Sequence, residues 1–123
     1  MKDSEVFDLS KAFAVRIVRL YKFLTKEKNE YVLSKQILRS GTSIGANIAE
    51  AQTAFSKKEF LAKMYISFKE CNETLYWLDL LYDTEYLTEE QYASIFDDAA
   101  ELEKILSAIT KTTKERLEIR EKR

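Results

Sequence analysis

The most unusual run of residue types is Ser40-Gly41-Thr42-Ser43-Ile44-Gly45-Ala46-Asn47-Ile48-Ala49-Glu50-Ala51, which holds both glycines of the chain. Hydroxyls and glycines at this density could cradle a phosphate. A phosphate loop, however, needs Lys-Ser or Lys-Thr directly after its last glycine, and Ala46-Asn47 follows here. A dinucleotide site would need a preceding strand, and the pattern predicts none. The spacing supports packing instead. Gly41, Gly45 and Ala49 stand four apart and predict a ridge of small residues that another helix can approach closely. Two glycines in a helix interior cost about 2 kcal/mol relative to alanine, so a contact must compensate. Arg39, Ser43, Asn47 and Glu50 fall on the adjacent stripe, placed for a polar network between helices.

Other reactive residue types are few. The chain has no histidine, which removes Ser-His-Asp and Cys-His chemistry, the commonest general base and most zinc or di-iron sites. Carboxylates cluster as Glu70/Glu73 and as Asp97, Asp98 and Glu101. Di-metal bundles pair Glu with Glu-x-x-His, which is absent here, so these clusters read as a solvated acidic face. An enzyme would need a deep polar pocket around Glu50, Glu70 and Glu73. The single cysteine, Cys71, lies on an apolar seam and reads as a buried small hydrophobe. No catalytic residue, metal site or cofactor is predicted.

The elements that position these residues follow from periodicity. Apolar residues recur at three- and four-residue spacing as Phe13-Ile17-Leu20-Leu24, as Ile37-Gly41-Ile44-Ile48-Ala51-Phe55, as Leu61-Met64-Phe68-Cys71-Leu75-Leu78-Tyr82 and as Tyr92-Ile95-Ala99-Leu102-Leu106-Ile109. Ser34, Ser56 and Thr88 are read as N-caps. Leu33, Phe55 and Leu87 precede them as hydrophobic staples, and Leu9-Ser10 is a weaker copy. Helices are therefore predicted near 10–26, 34–54, 57–83 and 89–119, with a mobile tail near 112–123. The fold class is all-α: an up-down-up-down antiparallel four-helix bundle, packed left-handedly, in one domain of 123 residues. No run of 18 apolar residues predicts a membrane span. The first 15 residues lack the basic start and apolar block of a secretory signal. A cytoplasmic location is expected.

Two surface features predict interactions. The third helix carries more apolar surface than one seam uses: Ile66, Tyr76, Trp77, Leu80 and Leu81 lie off it and are read as an oligomer face. Charge is also uneven. Residues 1–63 hold 12 basic and 7 acidic side chains, and residues 64–123 hold 8 and 14. Lys11, Arg16, Arg19, Lys22 and Lys26 form a basic stripe opposite the first apolar seam, a candidate face for nucleic acid or a partner. The overall net charge of −1 favours a solvated face balanced by acidic neighbours.

The stretch from Gln36 to Ala51, with Ser-Ile-x-x-Asn-Ile-Ala-Glu at its centre, resembles the signature of a protein family encoded in intervening sequences of bacterial 23S ribosomal RNA genes. Ser56-Lys-Lys-Glu-Phe60, Lys69-Glu-Cys-Asn-Glu73 and Tyr76-Trp-Leu78 continue the likeness in register. The resemblance implies a small helical bundle that assembles as a homopentamer. It also points to a relative, the accessory protein of diversity-generating retroelements, which binds a reverse transcriptase and nucleic acid through a basic surface. The expectation is a non-enzymatic, self-assembling binding scaffold. The alternative is an RNA- or DNA-binding accessory protein working through the first-helix stripe.

Overall fold

The computed structural model describes residues 3–122. Four helices follow one another: α1 (Asp3–Lys26), α2 (Leu33–Ala51), α3 (Lys57–Asp83) and α4 (Glu89–Glu121). Each packs on its neighbour in the chain, and α1 closes the bundle against α4 through the sparsest of the four contacts. The diagonal pairs do not touch among the described residues. Short connections force neighbours to run antiparallel. Residue pairings show this directly: Ile17 and Ser10 of α1 face Gly41 and Gly45 of α2, and Ser67 and Thr74 of α3 face Ile44 and Ser40. Among the described residues, no helix is long and apolar enough to cross a membrane.

The core is a column of fully buried aliphatics, including Ile17, Leu24, Ile37, Ile44, Ile48, Met64, Leu78, Leu81 and Leu106. Helix α3 contributes two seams at heptad spacing. Met64, Cys71 and Leu78 form one, and Ser67, Thr74 and Leu81 the other. The second seam corrects one sequence expectation. Leu81 has no solvent exposure and belongs to the core, not to an outer face. Its position seven residues after Thr74 places it on the side of α3 that meets α2.

Three helix starts differ from the sequence reading. Helix α1 begins at Asp3 rather than near residue 10, because Val6 is fully buried and extends the seam by two turns. Ser10 is therefore interior. Its hydroxyl donates to the Phe7 carbonyl at 2.7 Å instead of capping. At α2 the cap is Glu30. Its buried carboxylate accepts from the backbone N–H of Val32 at 3.1 Å and of Ser34 at 2.7 Å, and the Ser34 hydroxyl donates to the Glu30 carbonyl at 2.9 Å. A negative group there satisfies orphan donors and favours the positive end of the helix dipole. At α3, Ser56 does accept from Glu59 N–H at 3.1 Å, but Glu59 reaches back to Phe55 N–H rather than to Ser56. The Phe55 ring is wholly exposed, so it does not staple onto Phe60. Only α4 starts as predicted, with a complete capping box between Thr88 and Gln91.

Two helix ends differ as well. Helix α2 stops at Ala51, where Gln52 takes over the last carbonyls, and residues 52–54 form turns rather than a further helical turn. Helix α4 runs on to Glu121 where a tail was expected. Arg120 complements the negative end of the helix, and Lys58 of α3 pairs with Glu121 at 3.3 Å.

The glycines hold α1 and α2 together. A Cβ on Gly41 would stand 2.7 Å from Ile17 Cγ1 and 2.9 Å from its Cγ2. A Cβ on Gly45 would stand 3.0 Å from Ser10 Oγ. Ala49 does not extend this ridge into the contact; it is exposed. Each four-residue step turns about 40° past a full circle, so two steps carry Ala49 about 80° away from Gly41.

Two predictions follow from these contacts. Gly41→Ala overpacks a buried branched side chain and should lower unfolding stability by about 1–3 kcal/mol, despite the gain in helix propensity. That loss should shrink in an Ile17→Ala background, measured as a double-mutant cycle in urea. Glu30→Ala removes the α2 cap and should cost about 1–2 kcal/mol by the same assay.

Candidate functional site

The small-residue segment of α2 places its polar stripe against α3, but not as one network. Arg39 crosses to α3, where it donates to Glu73 at 2.6 Å and stands 3.7 Å from Glu70. Trp77 Nε1 donates to the same Glu73 oxygen at 3.1 Å. Glu50 pairs separately with Lys63 at 3.4 Å. Between them Ser43 donates to the Arg39 carbonyl at 2.6 Å and Asn47 to the Ser43 carbonyl at 2.8 Å, both inside α2. The stripe is thus two cross-helix ion pairs joined by side chains turned onto their own backbone. Glu70 and Glu73 are half-buried and matched by a guanidinium, not a solvated acidic face. No pocket forms around Glu50, Glu70 and Glu73, because Lys63 and Arg39 divide the three.

The sequence reading missed the buried hydroxyl contacts beneath this stripe. Thr74 donates to Ser40 Oγ at 3.0 Å and also to the Glu70 carbonyl at 2.8 Å, and Ser67 donates to the Ile44 carbonyl at 2.8 Å. Buried hydroxyls with partners avoid the desolvation penalty while keeping α2 and α3 close. The Ser67-Thr74-Leu81 heptad was the available signal.

Cys71 faces α4 and donates its S–H to the Ala99 carbonyl at 3.3 Å. Burial, with a smaller contribution from Glu103, pushes the thiol up to about 12. It therefore stays protonated at neutral pH and is a poor nucleophile. Tyr92 stacks on Tyr82 and donates to Asp79. Partial burial and that hydrogen bond hold its phenol up at about 12. Among the described residues, no group of three His, Cys, Asp or Glu side chains is arranged to hold a metal.

The basic stripe of α1 is divided by the bundle. Arg16 turns onto α4, donating to Asp98 at 2.6 Å, to the Ser94 carbonyl at 3.1 Å and to Ser94 Oγ at 2.9 Å. It bridges the sparse α1/α4 contact and is not available as a phosphate ligand. Lys11, Arg19, Lys22 and Lys26 remain exposed, and none of them pairs with a carboxylate among the described residues. Val15 and Val18 lie exposed between them.

The outer face of α3 keeps four of its five expected members. Ile66 is 41% exposed and Tyr76 59% exposed, while Trp77 and Leu80 are half-buried. Tyr65, 51% exposed, joins them and was not singled out from the sequence. Tyr76 and Trp77 meet edge to face at 5.1 Å between ring centres. At the other end of the bundle, Lys58 of α3 and Lys111 and Lys114 of α4 rim a shallow groove floored by Leu61, Ala62 and Tyr65. No spacing in the sequence links these lysines; the antiparallel return of α4 does.

Comparison with known proteins agrees with this architecture. A crystal structure from Bacteroides thetaiotaomicron, described as a protein with unknown function from the S23 ribosomal protein family, is 60% identical and superposes with a TM-score of 0.88. The match covers 90% of this chain and 99% of that one. None of the curated proteins compared matches this chain. The family described as 23S rRNA-intervening sequence protein matches residues 2–108, nearly all of the bundle. With the ridge of α2, the α3 register and the four-helix architecture all inside that span, the chain belongs to the 23S rRNA-intervening sequence protein family.

Proposed function

We propose that the protein is a non-catalytic helical scaffold that works as an assembly of its own copies. One observation carries the reading: the outer face of α3 presents Tyr65, Ile66 and Tyr76 to solvent, with Leu80 and Trp77 beside them, along one side of a single helix. Scattered apolar residues on a surface are ordinary, but a contiguous run of this kind marks an interaction site. The inert thiol of Cys71 and the ion-paired state of Glu50, Glu70 and Glu73 favour a scaffold over an enzyme. Five copies is the number that the family resemblance implies. Light scattering at micromolar concentration should give a mass several times the 14.4 kDa of one chain, and Tyr76→Asp should reduce it to a single chain. A wild-type protein that stays at one chain mass over a wide concentration range would refute the reading.

A second reading, RNA or DNA binding, is favoured by the lysines that the fold gathers at the α3/α4 groove. Phosphate contacts release counterions, so such binding weakens steeply with salt. The acidic carboxylates of the second half of the chain oppose it. Generic RNA should therefore bind at about 10⁻⁴ M or weaker at physiological salt, as read by fluorescence anisotropy. Submicromolar binding at that salt, abolished by Lys111→Glu with Lys114→Glu, would promote the nucleic-acid reading over the scaffold.

A further inference from the structure

The exposed faces of α1 and α3 share a level and carry opposite charge. The levels follow from α2, which touches both helices. Ile17 lies against Gly41, and the adjacent Ser40 bonds Thr74. Ser10 lies against Gly45, and the adjacent Ile44 accepts from Ser67. In both rungs the α3 residue stands 57 positions after the α1 residue. Lys22 is therefore level with Asp79, Lys26 with Asp83 and Arg19 with Tyr76. Helices α1 and α3 run in the same direction, because each is antiparallel to α2. They also occupy opposite corners of the bundle and do not touch each other. Each molecule thus presents a basic face with two exposed valines on one side and an aromatic face edged by aspartates on the other.

We propose that assembly is heterologous: the outer face of α3 in one copy seats on the outer face of α1 in the next, with the two helices parallel. The inference rests on the self-assembly reading above and names the surface that covers α3. Translating one copy beside another without reversing it brings Lys22 and Lys26 level with Asp79 and Asp83. Val15 and Val18 then supply apolar cover for Tyr76 and Leu80. The alternatives fit worse. A two-fold axis through the middle of the α3 face would bring Glu73 against Glu73. One through the α1 face would set Lys11, Arg19, Lys22 and Lys26 against their own copies. A heterologous contact also repeats from copy to copy, so it builds rings larger than a dimer.

Two blocked variants decide the matter. Tyr76→Asp disables the α3 face, and Val18→Asp with Lys22→Glu disables the α1 face. All three positions are on the outer surface, and circular dichroism checks that each variant stays helical. Each variant alone should sediment as one chain. An equimolar mixture should form a 1:1 dimer, because one intact face of each kind remains. A second pair needs no apolar change: Lys26→Asp and Asp83→Lys should each weaken assembly at least tenfold, and the two combined in one chain should restore it. The inference is overturned if wild type assembles but the α1 variant keeps full mass, or if the mixture stays monomeric. A wild type that never assembles would instead overturn the self-assembly reading itself.

Discussion

The spacing between α1 and α2 is set by an absence, the missing side chain of Gly41. Its backbone lies so close to Ile17 that a single added carbon would meet that side chain at 2.7 Å. Ile17 can then stand fully buried in the centre of the bundle, and the aliphatic column can close around it. Glycine costs helix propensity, and the return is dispersion contact over the whole length of two antiparallel helices. The same segment approaches α3 on its other side, where Ser40 and Ile44 meet Thr74 and Ser67 through hydrogen bonds. Helix α2 is therefore the narrow member of the bundle, tight on both flanks. The levels of α1 and α3 are fixed through it.

That tightness explains why the polar residues around it are structural. Arg39 and Glu50 reach outward from the small-residue segment and tie its two halves to α3. Exposed ion pairs contribute little stability individually. Their value here is directional, since they discriminate the observed register of α2 on α3 from a slipped one. Arg16 has the same part at the loosest seam, where α1 and α4 make the fewest contacts and a guanidinium with three acceptors spans the gap. Residues that suggested a ligand site in the sequence are consumed by the assembly of the bundle.

What remains for function is the outside. The chain's charge asymmetry becomes spatial once the helices are placed. The exposed cations of α1 and the aspartates at the top of α3 lie on opposite sides of the molecule, while lysines from α3 and α4 meet at the far end. A molecule with complementary faces on opposite sides is suited to contacts with its own copies, and the apolar run on α3 adds the non-directional part of such a contact. Membership of the 23S rRNA-intervening sequence protein family places this arrangement among proteins such as the Bacteroides thetaiotaomicron structure, itself described as of unknown function.

Helix number, the apolar seams, the close-packing role of Gly41 and Gly45, and the inert nature of Cys71 were legible in the sequence. Each depends on spacing within one helix, and a 3.6-residue period states it locally. The family likeness was legible for the same reason, carried by one contiguous segment of α2. Helix ends were less so. Capping by Glu30 and the outward turn of Phe55 depend on how the chain enters the helix, which competing local hydrogen bonds decide. Tertiary structure alone decided which residues share a surface. Arg16 left the basic stripe because Asp98, 82 positions away, accepts its hydrogen bond. Leu81 left the outer face because a second seam of α3 meets α2. Lys58 gained Lys111 and Lys114 as neighbours because α4 returns antiparallel along α3. Side chains distant in sequence become partners only when packing fixes helix rotation and register, and that is a property of the whole core rather than of any one segment.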